Sequence, residues 1–424
     1  MKENDVSSGK LTSLDLILRA LQYRNYRLFF GGQSISLIGT WMQRVAVSWL
    51  VYRLTNSAFL LGLVGFAGQI PTFLIAPIAG VVADRYNQHR ILVITQTLLL
   101  MQALALWFLV ITKTIEIWQI ITLAMFMGFV NSFDMPTRQS FVVHMIEDRA
   151  DLGNAIALNS TMVNIARLVG PSLAGILVAA AGEGICFLIN AVSFLAVIAS
   201  LLAMRITPVK IEAKKSHVLR ELEEGFIYSL RTPPIRNTIL LLALVSLMGM
   251  PYMVLMPVFA RDILHGGPHT LGFLMAASGL GALMGALYLA SRKSGHGLEK
   301  AVPIAAVTFG VGLITFGLSR VYVLSLIFLV VAGLGMMVQM ASSNTILQVV
   351  VDDDKRARVM SFYTMAFMGM APFGNLLAGA MAAAIGAPIT TMICGACCIL
   401  GALFYAGNIP VIKKSVDVQI PLTQ

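Results

Sequence analysis

The chain has 424 residues, of which 58% are hydrophobic and only 12% charged, with a formal net charge of +10. Soluble domains carry about twice that charged fraction, and a soluble core of this size cannot hide so much apolar surface. Disorder, a collagen repeat and a secreted disulfide scaffold are excluded, and the chain reads as an all-α membrane protein.

Residues 1–27 are polar and hold Lys2, Lys10, Arg19, Arg24 and Arg27. They lack the apolar run and small-residue cleavage site of a signal peptide, so this segment is expected to stay in the cytoplasm. A helix crossing the hydrocarbon needs about 20 mainly apolar residues. Twelve segments qualify: 28–54, 57–83, 90–112, 116–143, 152–181, 184–204, 237–264, 269–291, 300–319, 321–350, 357–384 and 387–409. Runs such as Ile239 to Leu242 do not alternate apolar and polar, as porin-type strands would. With the N-terminus inside, the inner segments hold 24 Lys and Arg, whereas the outer loops hold four: Arg53, Lys113, Arg261 and Arg320. That bias places both termini in the cytoplasm. Basic residues dispersed between spans also argue against nucleic acid as a partner.

An ionised group within hydrocarbon is costly and normally faces protein or water. In span one, Arg44 lies within a turn of the middle, with Gln33, Ser36 and Thr40 on its face. The loop after span two runs from Gly80 through Asp84 and Arg85 to Arg90. An aspartate there can cap a neighbouring helix and pair with arginines, so these four residues form a candidate cytoplasmic gate. In span four Asn131, Asp134 and Arg138 share a face beside Pro136. Asp134 is the one acid well inside a span and the candidate for proton coupling; an inner latch is the rival role. Span five places Arg167 near its middle, with Ser160 and Asn164 on its face.

The inner connection 205–236 has Leu219, Leu222, Phe226 and Leu230 at helical spacing. It reads as an amphipathic helix on the membrane surface, ended by Pro233 and Pro234. It joins a six-helix bundle, 28–204, to a second, 237–409, before a cytoplasmic tail, 410–424. Span seven has Met248, Tyr252, Met256 and Phe259 on one face, and span ten Gln339, Ser342 and Ser343. The candidate substrate cavity is therefore Gln33, Thr40, Arg44, Asn131, Asn164, Arg167, Tyr252, Gln339 and Ser343. A methionine and aromatic stripe also suits plain packing. Gly170, Gly175 and Gly182 recur as Gly374, Gly379 and Gly386, and Asp148 as Asp352, each 204 residues on. Parallel six-helix repeats with a site between them are a transporter design. Cys186, Cys394, Cys397 and Cys398 sit in apolar runs without further ligands. There is no phosphate-cradling glycine loop, so no enzyme, ATP-driven pump, metal or cofactor is expected.

In the loop after span two, Gly80, Asp84 and Arg85 match the signature G-x-x-x-D-R-x-G-R-[RK] of the major facilitator superfamily, which the chain resembles. Asn87, Gln88 and His89 depart from it, and Arg90 comes one place late. In the second half Leu289 stands where the acid belongs. Span five resembles the superfamily's exporter signature G-x-x-x-G-P-x-x-G-G at Gly170, Pro171 and Gly175, with Ala166 and Ala174 replacing glycines. Gly39–Arg44, Phe133–Gln139 and Asn154–Asn159 are similar to the branch of enterobactin exporters and macrolide efflux proteins. The resemblance runs from about residue 24 to 408. It implies the major facilitator fold, twelve transmembrane helices in two six-helix bundles rocking about a central site. It implies that spans one, four, seven and ten are central and that the latch meets span eleven. The expected activity is export of a small amphipathic compound, of drug or siderophore class, by proton antiport. The expected setting is a bacterial inner membrane, as a monomer, with the lipid bilayer and protons as partners. An importer or lysophospholipid translocator of the same fold is the alternative.

Overall fold

The computed structural model describes residues 18–205, 227–292, 297–352 and 355–413. The side chain of Asp84 and most of the expected linker helix, Leu219, Leu222 and Phe226 included, lie outside the described residues. Among the described residues twelve long helices follow in order. They are α1 Arg24–Thr55, α2 Ala58–Arg85, α3 Gln88–Ile111, α4 Ile117–Val143, α5 Leu152–Ala181 and α6 Glu183–Leu202. Then come α7 Pro233–Ile263, α8 Pro268–Ala290, α9 Leu298–Leu318, α10 Tyr322–Val350, α11 Arg358–Ile385 and α12 Ala387–Ala406.

Eleven of these, all but α1, are long and apolar enough to cross a membrane. Helix α1 has the length, 32 residues, but Gln33, Gln43 and Arg44 dilute its apolar character. It packs chiefly against α5 and α6, and both glutamines are buried, Gln33 on Arg138 of α4 and Gln43 between α3 and α6, so neither needs to meet lipid. Helix α7 starts at Pro233, four residues before the expected limit. The proline pair that ends the helical residues 227–231 also opens α7, because a first-turn N–H has no helical partner to lose. Two features escape any reading of periodicity. Residues 245–249 and 259–263 of α7, and 365–369 of α11, are π-helical, and Ser246 of the first donates to the Phe367 carbonyl of the last.

The glycine recurrence has a structural cause. A Cβ on Gly170 would stand 2.5 Å from Trp41 Cβ of α1, and one on Gly374 2.8 Å from Pro251 of α7. A Cβ on Gly175 would meet Gly272 Cα of α8 at 3.0 Å, and one on Gly379 would meet Gly62 Cα of α2 at 2.8 Å. Helices five and eleven thus make the same two backbone approaches, one within their own half and one across to the other. Gly182 and Gly386 end these helices with φ of 79° and 85°, which a side chain rarely tolerates.

The halves meet along α5–α8 and α2–α11. On α2 the contacts fall at Gly62, Gly65, Phe66 and Phe73, against Gly369, Phe373, Asn375 and Gly379 of α11. On α5 they fall at Arg167, Pro171 and Gly175, against Pro268, His269, Gly272 and Gly279 of α8. All run from one end of the bundle to just past its middle. At that end Tyr52 donates to Asp262, and Arg261 Nη1 donates to Asn56 Oδ1 at 2.6 Å. The contacts named between the halves lie at the Tyr52–Asp262 end and the middle, so a cleft between the halves would open at the Arg85–Arg358 end.

Candidate functional site

Arg44 and Arg167 come together at the middle of this cleft. The Arg44 Cζ lies 4.9 Å from the centroid of the Trp41 ring and the Arg167 Cζ 5.6 Å from the same centroid. Trp41 is one turn from Arg44 on α1, and Gly170 clears the space that brings α5 against it. Arg44 is exposed and Arg167 half-buried, although both sit mid-helix where α1, α5 and α8 converge. Their exposure is therefore to the cleft. Among the described residues neither guanidinium forms an ion pair, and Arg167 Nε is buried without a hydrogen-bond partner.

Asp134 does not serve these cations. It is completely buried and pairs with Arg138 one turn along α4. Thr95 Oγ1 and Gln96 Nε2 of α3 each donate to its Oδ1 at 2.8 Å. Arg138 Nη1 in turn donates to Gln33 Oε1 at 3.1 Å. Gln33 thus belongs to a knot of α1, α3 and α4 and is buried. A buried carboxylate is tolerable when paired and hydrogen-bonded in this way, and one partner, Arg138, keeps 22% exposure of its side chain.

Thr40, Asn131 and Asn164 are half-buried; Asn164 Nδ2 donates to the Ser160 carbonyl at 3.0 Å. The candidates from the second half are packed away. Tyr252 is 1% exposed, shares a hydrogen bond with Ser278 and lies edge-on to Phe309. Met256 and Phe259 are fully buried, so the stripe on α7 is a packing face. Gln339 and Ser343 are buried, joined by a hydrogen bond of 3.3 Å, and Gln339 Oε1 and Ser342 Oγ lack partners.

At the open end Arg85 and Arg90 are exposed and a Cβ on Gly80 would meet nothing within 4 Å. Asn87, standing where the signature has glycine, accepts from Arg90 N at 3.1 Å and caps α3. His89 Nε2 lies 2.8 Å from the Leu201 carbonyl, which ties this loop to the end of α6. Nearby, the turn Arg19–Gln22 docks on the loop before α5, with Arg19, Gln22 and Tyr23 all on Asp151. The hydrogen bond to that carboxylate holds the Tyr23 phenol above its usual pKa. Burial, and next the hydrogen bond to Asp352, push the Tyr228 phenol up as well.

Several participants carried no sequence signal of their own. Gln43 links Gln102 of α3 and Asn190 of α6 through bonds of 2.9 and 2.8 Å. Polar residues inside apolar spans mark such groups as buried, but nothing local says which will meet. Trp41 could have been found from its place one turn before Arg44. Asp262 stands at a span end, where an acid is unremarked. Among the described residues no His, Cys, Asp and Glu group could hold a metal ion.

Twelve helices in two packed sets, small-residue seams between them and a charged central cleft define a multi-pass membrane transporter of the major facilitator fold. The chain belongs to the transmembrane secretion effector family, whose model matches residues 18–422. It is similar to the staphyloferrin A transporter of Staphylococcus aureus, 26% identical over 374 residues, which cover 87% of this chain and 92% of the relative. It is also similar to macrolide efflux protein A of Streptococcus pyogenes, 22% identical over 86% of this chain and 92% of the relative. The enterobactin exporter of Escherichia coli is 24% identical over 86% of each chain. Among solved structures, a bacterial homologue of the human lysosomal transporter Spinster, inward-facing and unoccupied, matches with a TM-score of 0.73 at 14% identity. That match covers 93% of this chain and 98% of the other. The family and its relatives are transporters, so the chain is a transporter and not an enzyme.

Proposed function

We propose that the protein exports a small amphipathic compound, of drug or siderophore class, from the bacterial cytoplasm by alternating access coupled to proton entry. The observation that carries this reading is the concentration of the named cross-half contacts toward the Tyr52–Asp262 end, which supports a polar cleft open at the other. Rocking of one half against the other about the α5–α8 and α2–α11 seams would close the open end and part the sealed one. The relatives named for siderophore and macrolide handling support the substrate class, and the Gly170, Pro171 and Gly175 motif supports the direction. The Lys and Arg bias puts the open end, both termini and the 205–236 connection in the cytoplasm. The protein would then act as a monomer in the inner membrane. The test is accumulation in a deletion strain and an overproducer, measured across antibiotics and siderophore-secreting conditions. Higher retention in the deletion strain supports export; faster uptake by the overproducer contradicts it.

Orientation has its own check. A cysteine placed near Lys214 should resist an impermeant thiol reagent added outside cells, and one near Lys113 should react. The reverse pattern rules out this orientation.

The gate has another. Gly80, Asp84, Arg85 and Arg90 would latch the cytoplasmic end when it closes, the charge of Asp84 meeting the start of α11. Asp84→Asn should lower transport several-fold while leaving the amount of protein in the membrane unchanged. Normal transport by Asp84→Asn at several substrate concentrations contradicts the latch.

A further inference from the structure

We propose that Arg44 and Arg167 form an anion-binding site and that the exported compound carries an acidic group, most simply a carboxylate, which docks between them. This rests on the exporter reading and names the chemistry of its substrate.

Both guanidiniums are permanently charged, and each lies over the one Trp41 ring, at 4.9 and 5.6 Å. The sum of those two distances is an upper bound on their separation, so both cations sit against a single indole. Like charges within that distance in a low-dielectric interior repel. Two like charges held together at mid-membrane need a counter-charge. The protein could have supplied one in Asp134, the acid nearest in the sequence pattern. The structure instead spends that carboxylate on Arg138, Thr95 and Gln96. The Tyr252 phenol, the polar group of α7 near Arg167, is turned to Ser278. An indole face attracts a cation but leaves its N–H donors unused, and Arg167 Nε is among the buried atoms with no partner.

What the site lacks defines what it takes. Guanidinium forks match the two oxygens of a carboxylate or a phosphate. Arg44 is exposed to the cleft, so such a group can reach it from the open end without dismantling any pair. The site lies where α1 packs on α5 and beside the α5–α8 seam: Trp41 touches Gly170 of α5, and the Arg167 carbonyl lies 3.0 Å from where a Cβ of Gly279 on α8 would be. An anion bound here would neutralise that repulsion beside one of the two seams about which the halves would rock.

The experiment uses the full-length protein in lipid nanodiscs and two isosteric fluorescent probes, 1-pyrenebutyrate and its neutral amide, 1-pyrenebutyramide. Wild-type protein should bind the carboxylate at least about tenfold more tightly, as expected for losing a charge-assisted hydrogen bond. Arg44→Gln and Arg167→Gln should each reduce that preference to within about twofold, and Arg44→Lys should retain part of it. Size-exclusion profile and thermal midpoint report folding of each variant. The wild-type comparison needs no variant: equal binding of the two probes, or binding of neither, overturns the proposal, as does a preference that survives in both glutamine variants. Displacement by soluble phthalate marks a solute site; displacement by lysophosphatidylglycerol alone marks a lipid headgroup, and either supports an anion site. Efflux of both probes from overproducing cells is read separately. Efflux without charge preference removes the anion site and leaves the exporter; charge preference without efflux does the reverse.

Discussion

Gly272→Leu is expected to cut transport at least about tenfold while leaving the protein folded and inserted. A Cβ at Gly272 would stand 2.8 Å from Gly175 Cα and 3.0 Å from Gly175 N. Backbone cannot step aside as a side chain can, so α5 and α8 must separate. Overpacking a close contact costs about 1–3 kcal/mol, and each 1.4 kcal/mol shifts a two-state balance about tenfold. The strain falls on one state only. The sealed Tyr52–Asp262 end needs α5 and α8 in backbone contact, whereas the state with that end parted does not. The variant should accumulate with the sealed end open. A cysteine at Thr40 would then react with an impermeant reagent from that side in the variant and resist it in an otherwise wild-type chain. Equal labelling in the two backgrounds, with transport intact, would mean that the seam is a static joint. Gly379→Leu should behave alike, because its Cβ would meet Gly62 Cα at 2.8 Å and Ala58 O at 2.9 Å across the pseudo-equivalent seam.

Gly175 and Gly379, one on each seam, were legible as part of a repeat because the constraint on them is local: a Cβ on either would press on a facing glycine Cα. The spans were legible for a similar reason, since lipid imposes apolar character on any long exposed helix. Helix α1 shows the boundary of that rule, being the least apolar of the long helices while both its glutamines are buried against neighbours. What periodicity cannot give is the identity of the neighbour. Gln33, Gln339 and Ser343 are polar residues on a helical face, and so is Arg44. Arg44 meets the cleft, while Gln33 is drawn to Arg138 and Gln339 to Ser343. A polar face looks the same in sequence whether it lines water or a tight interhelical seam. The stripe on α7 fails for a related reason: Phe259 stacks 4.3 Å from Phe316 and leaves nothing to a ligand. Asp134 was legible as a buried acid, but Thr95 and Gln96 lie on another helix and were not readable as its partners.

Asp134 carries the other large effect. Asp134→Ala should destabilise the protein by about 3–5 kcal/mol, the usual consequence of leaving a buried partner uncompensated. It strands Arg138 and deprives Thr95 Oγ1 and Gln96 Nε2 of their shared acceptor. The fall should show as a lowered thermal midpoint in detergent. Asp134→Asn separates structure from coupling, because the amide oxygen still accepts from Thr95 and Gln96 while the proton-binding site is gone. Two roles then compete. In one, the pair only ties α4 to α3 and, through Arg138 and Gln33, to α1. In the other, Arg138 leaves Asp134 during the transport cycle and Asp134 takes up a proton from outside. The second role requires a mobile partner, and Arg138 is the partially exposed member of the pair, 22% against 0%. Inside-out vesicles distinguish them when substrate uptake and substrate-induced proton release are read together. Substrate exchange without proton release in Asp134→Asn is the expected outcome if Asp134 carries the proton. Proton-linked transport of normal stoichiometry in that variant leaves Asp134 a structural anchor and moves the coupling elsewhere.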